Sequence, residues 1–207
     1  MNGESLVVPA KAESRPGRLI YVVGPSGAGK DSLIDYARGR LAPDLPVAFA
    51  QRHITRPNDA GGEKHVALDE AGFEAQRRAG RFALSWDGNG LRYGIGVEMD
   101  QALARGLDVV VNGSRGHLAS ALARYPGMLV VWVSAPESAL VSRMRKRGRE
   151  SEGEIALRIS RLSGLRPPPG ISVVEIVNAA DLETAGERLV AILASGGDEN
   201  FAGRQED

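Results

Sequence analysis

The chain contains no cysteine, which excludes disulfides and thiolate metal sites. It also lacks net charge: 26 Lys and Arg stand against 26 Asp and Glu, a balance that excludes a generally basic nucleic-acid binder and an acidic disordered tail. No apolar run approaches the roughly 18 to 20 residues of a membrane span. The polar first 17 residues carry only the short run Leu6–Ala10, without a basic stretch before it, so they do not read as a signal peptide and a cytoplasmic location is expected. Lysine is scarce: Lys11, Lys30, Lys64 and Lys146 leave 22 of the 26 basic residues as Arg. Arg binds phosphate bidentately, but a codon bias toward Arg would give the same count, so position must decide.

What is present fits one soluble domain with a sizeable core: 207 residues, 43% of them apolar and 25% charged. Residues 1–17 and 195–207 show no periodicity and are expected to be disordered ends around a single domain over 18–194. Within it, strand-like runs alternate with helical spacing. Buried-strand candidates are Leu19–Val23, Val47–Ala50, Leu107–Val111, Leu129–Val133 and Ser172–Val177. Helical spacing appears at Leu33, Ile34, Ala37 and Leu41, then over Met99–Ala104, Leu118–Ala123, Ala139–Met144, Ile155–Leu162 and Leu182–Leu193. The alternation predicts an α/β fold with a central parallel sheet and right-handed crossovers. Residues 52–96 break the rhythm with short polar strands, Gly-rich turns and one helix candidate after Asp69, as expected of a small antiparallel insert on the sheet's edge.

Gly24-Pro25-Ser26-Gly27-Ala28-Gly29-Lys30 fits GxxxxGK between a predicted strand and a predicted helix, the context that makes a phosphate-binding P-loop credible. Glycines let successive amides curl inward, the helix N-terminus adds its positive end, and Lys30 supplies a point charge for the β- and γ-phosphates. The next position, usually a Ser or Thr that ligates Mg²⁺, is Asp31, followed by Ser32. A carboxylate suits a hard cation, so Asp31 is a candidate metal residue; stabilising the helix N-terminus is the other reading.

Two arginine-bearing segments follow. In Arg52-His53-Ile54-Thr55-Arg56-Pro57, ahead of Gly61-Gly62-Glu63-Lys64-His65, two guanidiniums four residues apart suit an anionic ligand or a solvated loop equally. Residues 143–149 hold Arg143, Arg145, Lys146, Arg147 and Arg149 at the end of a helical run, as a solvated face or as a lid that brings Arg to phosphates and shields them from water. No Ser-His-Asp order or His cluster stands out. A phosphate acceptor needs no general base, because its oxygen is already ionised. The pattern points to a kinase of phosphorylated small molecules.

Residues 24–30, Ile54-Thr55-Arg56-Pro57, Tyr93-Gly94, the Arg-rich segment and Asn178 before the last helix resemble the guanylate kinase family from Arg18 to about Leu193. Gly-Lys-Asp-Ser-Leu at 29–33, Arg52–Arg56, Leu84-Ser85-Trp86, residues 90–98 and Val111-Asn112-Gly113-Ser114-Arg115 resemble more narrowly its ribose 1,5-bisphosphate phosphokinase branch. The resemblance implies a P-loop NTPase three-layer α/β/α fold, with 52–96 as the acceptor-binding insert and 143–160 as the lid. It implies ATP with Mg²⁺ as the donor, and a sugar bisphosphate converted to 5-phosphoribosyl 1-diphosphate during phosphonate breakdown. Neither nucleic acid nor membrane is implied as a partner, and a homodimer stays open.

The same resemblance assigns Lys30, Arg143 and Arg147 to catalysis. It assigns Gly24, Pro25, Ser26, Gly27, Ala28, Gly29, Lys30, Asp31, Ser32, Arg149 and Asn178 to the nucleotide, with Asp31 also at the metal. The acceptor would be held by Arg52, Arg56, His65, Ser85, Tyr93, Asn112, Ser114 and Arg115, while Trp86 reads as an apolar core residue in preference to a contact with the ribose. Guanylate kinases usually carry a Glu where Ser85 stands, an Asp for Asn112, a Tyr for His65 and a Ser for Arg52. A guanine edge deprived of its carboxylate loses roughly 1.5–3 kcal/mol, which disfavours guanylate kinase itself. A non-catalytic guanylate kinase-like module is the remaining alternative, against which the intact loop argues.

Overall fold

The computed structural model describes residues 16–57, 63–148, 151–160, 171, 173–179 and 181–196. The first half of the chain runs β1 (Leu19–Val23), α1 (Lys30–Arg40), β2 (Val47–Phe49), β3 (Arg52–Ile54), β4 (Val66–Ala67), α2 (Glu70–Arg78), β5 (Phe82–Gly88) and β6 (Leu91–Gly96). The second half runs α3 (Glu98–Ala104), β7 (Asp108–Asn112), α4 (Leu118–Arg124), β8 (Leu129–Ser134), α5 (Glu137–Arg147), α6 (Glu152–Ser160), β9 (Val173–Val177) and α7 (Leu182–Ala194). Five strands make a central parallel sheet in the order β2-β7-β1-β8-β9, and four make a second sheet, β4-β3-β6-β5. Each predicted buried strand is present within a residue or two of its expected bounds. β1 and β7 are buried at every position, because apolar runs without alternation suit a strand covered on both faces.

The chain divides into two units, Met1–Tyr21 with Ala42–Met128 and Val22–Leu41 with Leu129–Asp207. In the first, β2 pairs with β7 in parallel, Val47 opposite Asp108. Asp108 is buried, and accepts from the Arg18 amide at 2.8 Å and the Arg18 guanidinium at 3.0 Å. The second sheet lies in this unit. β5 and β6 form a hairpin with Trp86 opposite Tyr93 and Ser85 opposite Gly94, and β3 joins β6 antiparallel with Arg52 opposite Ile95. The expected antiparallel insert is corrected here: the strands form a sheet of their own, and β3 and β4 pair in parallel. A tight hairpin needs about two to five connecting residues, and the connection 55–65 is too long to impose one. Asp69 caps α2 through Gly72 N at 2.7 Å, and Phe73, one turn in, packs its ring 4.8 Å from Phe82.

In the second unit β8 and β9 pair in parallel from Val130 opposite Val173 to Ser134 opposite Val177. α7 starts at the Asp181 cap, whose carboxylate accepts from Thr184 N at 2.6 Å, a bond that holds the Asp181 carboxyl below its ordinary range. It buries Ala185, Gly186, Leu189, Ile192 and Leu193. Gly186 is needed for close packing on α1, since a Cβ there would lie 2.4 Å from the Tyr36 ring. No helix among the described residues is long and apolar enough to cross a membrane. Most of the two expected disordered ends, residues 1–15 and 197–207, lies outside the described residues.

Candidate active site

In the second unit β1 ends at Val23 and α1 begins at Lys30, so residues 24–29 form a tight strand-to-helix loop. Two of its glycines have steric reasons. A Cβ on Gly24 would lie 2.1 Å from the Val133 carbonyl oxygen, and one on Gly29, at φ 90°, would lie 2.4 Å from Asn178 Nδ2. Gly29 is the N-cap, and no side chain caps α1. The first turn of a helix carries amides that cannot bond within the helix, together with the positive end of its dipole. The loop therefore offers anion-binding geometry from backbone alone. The Lys30 ammonium folds back on the loop, donating to the Gly24 carbonyl at 3.1 Å and the Pro25 carbonyl at 3.2 Å. Asp31 stands in the first turn of α1 rather than at its cap, and Ser32 follows it.

The loop is clamped from behind. Asn178, buried just past β9, donates from Nδ2 to the Ala28 carbonyl at 2.7 Å and accepts at Oδ1 from Arg143 Nη2 at 3.1 Å. Arg143, on α5, also donates to the Asn178 carbonyl at 3.1 Å and to the Ala28 carbonyl at 3.4 Å. The two candidates thus meet at one loop carbonyl, and the guanidinium charge is held beside the loop. Arg145 is engaged elsewhere, in an exposed bidentate pair with Glu152 at 2.8 and 2.7 Å. α5 ends at Arg147, and Gly148 turns left-handed at φ 62° to close it. Arg149 lies outside the described residues.

The acceptor candidates gather in the first unit. Arg52 on β3 donates from Nε to Glu63 Oε1 at 2.6 Å, and its Nη2 pairs with the same oxygen. Its guanidinium carbon sits 5.2 Å from the centroid of the Tyr93 ring, on β6. Tyr93 stacks on Trp86 at 5.5 Å and 7°, and Trp86 stacks on His117 at 5.4 Å and 22°. Trp86 is half-buried in this stack, so the expected core role falls to Trp132, which is 3% exposed. Period-2 alternation places Trp86 on the same face of β5 as Leu84, but its partners come from other segments.

His65 is buried with both ring nitrogens engaged: Nε2 is 2.9 Å from the Arg56 carbonyl, while Nδ1 is 3.0 Å from the Glu63 carbonyl and 3.2 Å from Arg56 Nη2. It braces the loop that carries Arg56 and Glu63. The buried Arg56 Nε has no partner among the described residues. Asn112, at the end of β7, donates to Glu63 Oε2 at 3.2 Å. Ser114 and Arg115 follow, where the chain turns through a single 3-10 turn. Burial lowers the pKa of the Arg115 guanidinium, and likewise that of His117. Ser85, half-buried on β5, lies opposite Gly94.

Two residues of this cluster are not evident from the sequence. Glu63 occupies its centre, yet an acidic residue in a Gly-rich turn carries no signal of its own. Tyr21, inside the first strand, reads as core; its hydroxyl accepts from Ser114 N at 3.0 Å and lies 3.4 Å from the Ser114 carbonyl. Burial pushes the Tyr21 phenol up to about 12, against a smaller opposing pull from the Ser114 backbone and from Arg52. The loop after β7 lies flat on that ring, since a Cβ on Gly113 would come within 2.3 Å of it.

No family model matches the chain. A solved guanylate kinase from Anaplasma phagocytophilum superposes with a TM-score of 0.64 over 91% of this chain and 90% of its own, at 14% identity, which establishes a shared fold. Sequence likeness is much stronger elsewhere. The ribose 1,5-bisphosphate phosphokinase PhnN of Thiobacillus denitrificans is 51% identical over 178 residues, 86% of this chain and 93% of that protein. The protein of the same name from Desulfomicrobium baculatum is 48% identical over 178 residues, 85% of this chain and 94% of its own. With a complete phosphate loop, a clustered set of arginines and this identity over nearly the whole of both relatives, the chain belongs to the ribose 1,5-bisphosphate phosphokinase family.

Proposed function

We propose that the protein transfers the γ-phosphoryl group of ATP to the 1-phosphate of ribose 1,5-bisphosphate, giving 5-phosphoribosyl 1-diphosphate and ADP. The observation that carries this reading is the linked set of Arg52, Glu63, His65 and Arg56: two guanidiniums meet there, Arg115 follows three residues after Asn112 of the same set, and Ser85 stands where the guanylate kinase resemblance puts a guanine-reading carboxylate. Such a cluster suits a small acceptor with two phosphates and no base.

The roles follow from the chemistry. Residues 24–32 cradle the ATP phosphates with backbone N–H groups, and Lys30 leaves its carbonyl partners to neutralise the β- and γ-oxygens. Arg143, joined to Ala28 and Asn178, adds charge beside the loop. Asn178 keeps the loop in its binding shape. Mg²⁺ commonly takes one or two protein carboxylates together with substrate phosphates, so Asp31, with Ser32 next to it, fits as its protein ligand. When bound, the ion would neutralise phosphate charge.

Arg56 and Arg115 would hold the acceptor's phosphates, with Arg52, Ser85, Tyr93, Asn112 and Ser114 shaping the site and His65 positioning Arg56. Residues 52–96 then serve as the acceptor-binding insert and 143–160 as a lid, hinged at the left-handed Gly148, that carries Arg147 and Arg149. The attacking phosphate oxygen is already ionised, so no residue need remove a proton. In-line alignment and charge neutralisation account for the rate.

A coupled assay for ADP, offering ribose 1,5-bisphosphate and GMP separately with ATP and Mg²⁺, tests the reading. Turnover of the sugar bisphosphate is expected to exceed that of GMP by at least about 100-fold in kcat/KM, the scale of a lost buried charge-assisted contact. Faster turnover of GMP would make the protein a guanylate kinase, and turnover of neither would favour a binding module.

A further inference from the structure

The acceptor cluster contains a carboxylate that phosphate recognition does not require. Glu63 accepts from Arg52 Nε at 2.6 Å and from Arg52 Nη2 at Oε1, and from Asn112 Nδ2 at 3.2 Å at Oε2. Its side chain is only 13% exposed. A carboxylate carries about four lone-pair sites, two on each oxygen. Arg52 fills both on Oε1 and Asn112 fills one on Oε2, so one acceptor position remains on Oε2 among the described residues.

That position is poorly suited to phosphate. A dianionic group brought against a half-buried carboxylate meets like charge, and Arg52 is already matched by Glu63. The arginines better suited to phosphate are Arg56 and Arg115, neither of which has a carboxylate partner among the described residues. Arg56 Nε is a buried donor without a partner, and burial lowers the pKa of Arg115 without a compensating anion. Charge therefore separates guanidiniums open to phosphate, Arg56 beside His65 and Arg115 three residues past Asn112, from a fixed acceptor suited to a neutral O–H donor. The acceptor side is rigid. Arg52 lies over the Tyr93 ring at 5.2 Å, the ring is backed by Trp86, and the His65 brace holds the Glu63 backbone carbonyl at 3.0 Å.

We propose that Glu63 is a specificity-determining residue that accepts a hydrogen bond at Oε2 from a ring hydroxyl of the acceptor sugar. This rests on the sugar bisphosphate reading above and extends it from phosphate recognition to sugar recognition. A site that presents a charged acceptor to a hydroxyl rejects the analogue lacking it, because the acceptor is then left desolvated and unmatched.

The test compares kcat/KM for ribose 1,5-bisphosphate with its 2-deoxy and 3-deoxy analogues, in the wild type and in Glu63→Ala. One analogue is expected to fall at least about tenfold below the parent in the wild type, and that ratio to shrink to within about threefold in the variant. A purely structural role for Glu63 would lower all three substrates together and leave the ratios unchanged. Should Glu63→Ala fail to fold, Glu63→Gln keeps the volume and is expected to reduce the ratio at least about threefold, a neutral amide being the weaker partner. Wild-type ratios near one for both analogues, or ratios that survive in the variant that folds, would overturn the proposal while leaving the kinase reading intact. A wild type inactive on ribose 1,5-bisphosphate would overturn both.

Discussion

The phosphate loop and the candidate acceptor cluster are built by opposite constructions. The loop uses contiguous backbone: residues 24–29 between a buried strand and a helix, with Gly29 as a cap that has no side chain. Its supporting side chains, Asn178 and Arg143, act on one carbonyl, that of Ala28. The candidate acceptor cluster uses side chains drawn from Tyr21, Arg52, Arg56, Glu63, His65, Tyr93 and Asn112, and sets a carboxylate among its cations. Backbone dipoles recognise phosphate wherever it occurs, so the loop suits any nucleoside triphosphate. An arrangement of guanidiniums, a carboxylate and an aromatic stack can be selective, since each group has a fixed direction and charge.

The sharpest break in that comparison comes from Lys30, whose ammonium rests on the loop carbonyls of Gly24 and Pro25 and to which the proposed function gives the transferred phosphate. Lys30→Met is expected to lower kcat about 10²- to 10³-fold, the scale of removing a preorganised charge from a transition state. Protein stability should fall by about 1–3 kcal/mol, as urea titration would show, because the ammonium's partners at 3.1 and 3.2 Å are carbonyls of the buried Gly24 and Pro25.

A paired experiment separates the two constructions. Asn178→Ala removes the 2.7 Å donor from the Ala28 carbonyl, which keeps only Arg143 Nη1 at 3.4 Å, and takes the Oδ1 acceptor from Arg143 Nη2, at a cost of about 1–3 kcal/mol in stability. It should raise KM for ATP about tenfold while KM for the acceptor stays within about twofold. Arg52→Ala should do the reverse, raising the acceptor's KM about 10- to 100-fold through loss of a charge-assisted partner and release of Glu63, with KM for ATP unchanged. Equal effects of either variant on both substrates would show that the halves do not act separately.

The smallest effect expected is a pH dependence of stability confined to the acceptor unit. Burial lowers the pKa of His117 and of His53 from the ordinary value of 6.5, so folding holds both rings neutral. Such groups add stability that is fully present above 6.5 and is lost as pH falls through their lower folded values. His117→Phe keeps an aromatic face for Trp86 and removes one titrating ring. Its melting temperature should fall less than that of the wild type between neutral and mildly acidic pH. Parallel curves would show that His117 does not contribute to the slope.

The degree to which each region was legible follows the same division. The loop could be read because its chemistry is carried by consecutive residues whose spacing is itself the geometry, from Gly24 to Lys30. The strands of the central sheet were legible because runs buried on both faces are apolar throughout, as in Leu19–Val23. The second sheet was read less well, since two-residue β4 has too little length to show a period and its parallel pairing depends on a long connection. Arg52, Arg56, Tyr93, Asn112 and Arg115 are legible as candidates within their own segments, whereas the places of Trp86 and Glu63 depend on partners from other segments.

By itself, then, the sequence determined the α/β class, the phosphate loop and the lysine that completes it, because short-range spacing dictates how a strand, a turn and a helix succeed one another. The tertiary structure alone decided that Glu63 lies between Arg52 and Asn112, that Tyr21 supports Ser114, and that Asn178 holds Ala28. These partners are 11, 49, 93 and 150 residues apart, apart from the shared Glu63. Separations of that size carry no local period, so the pairings exist only once strand order and register have brought the segments together.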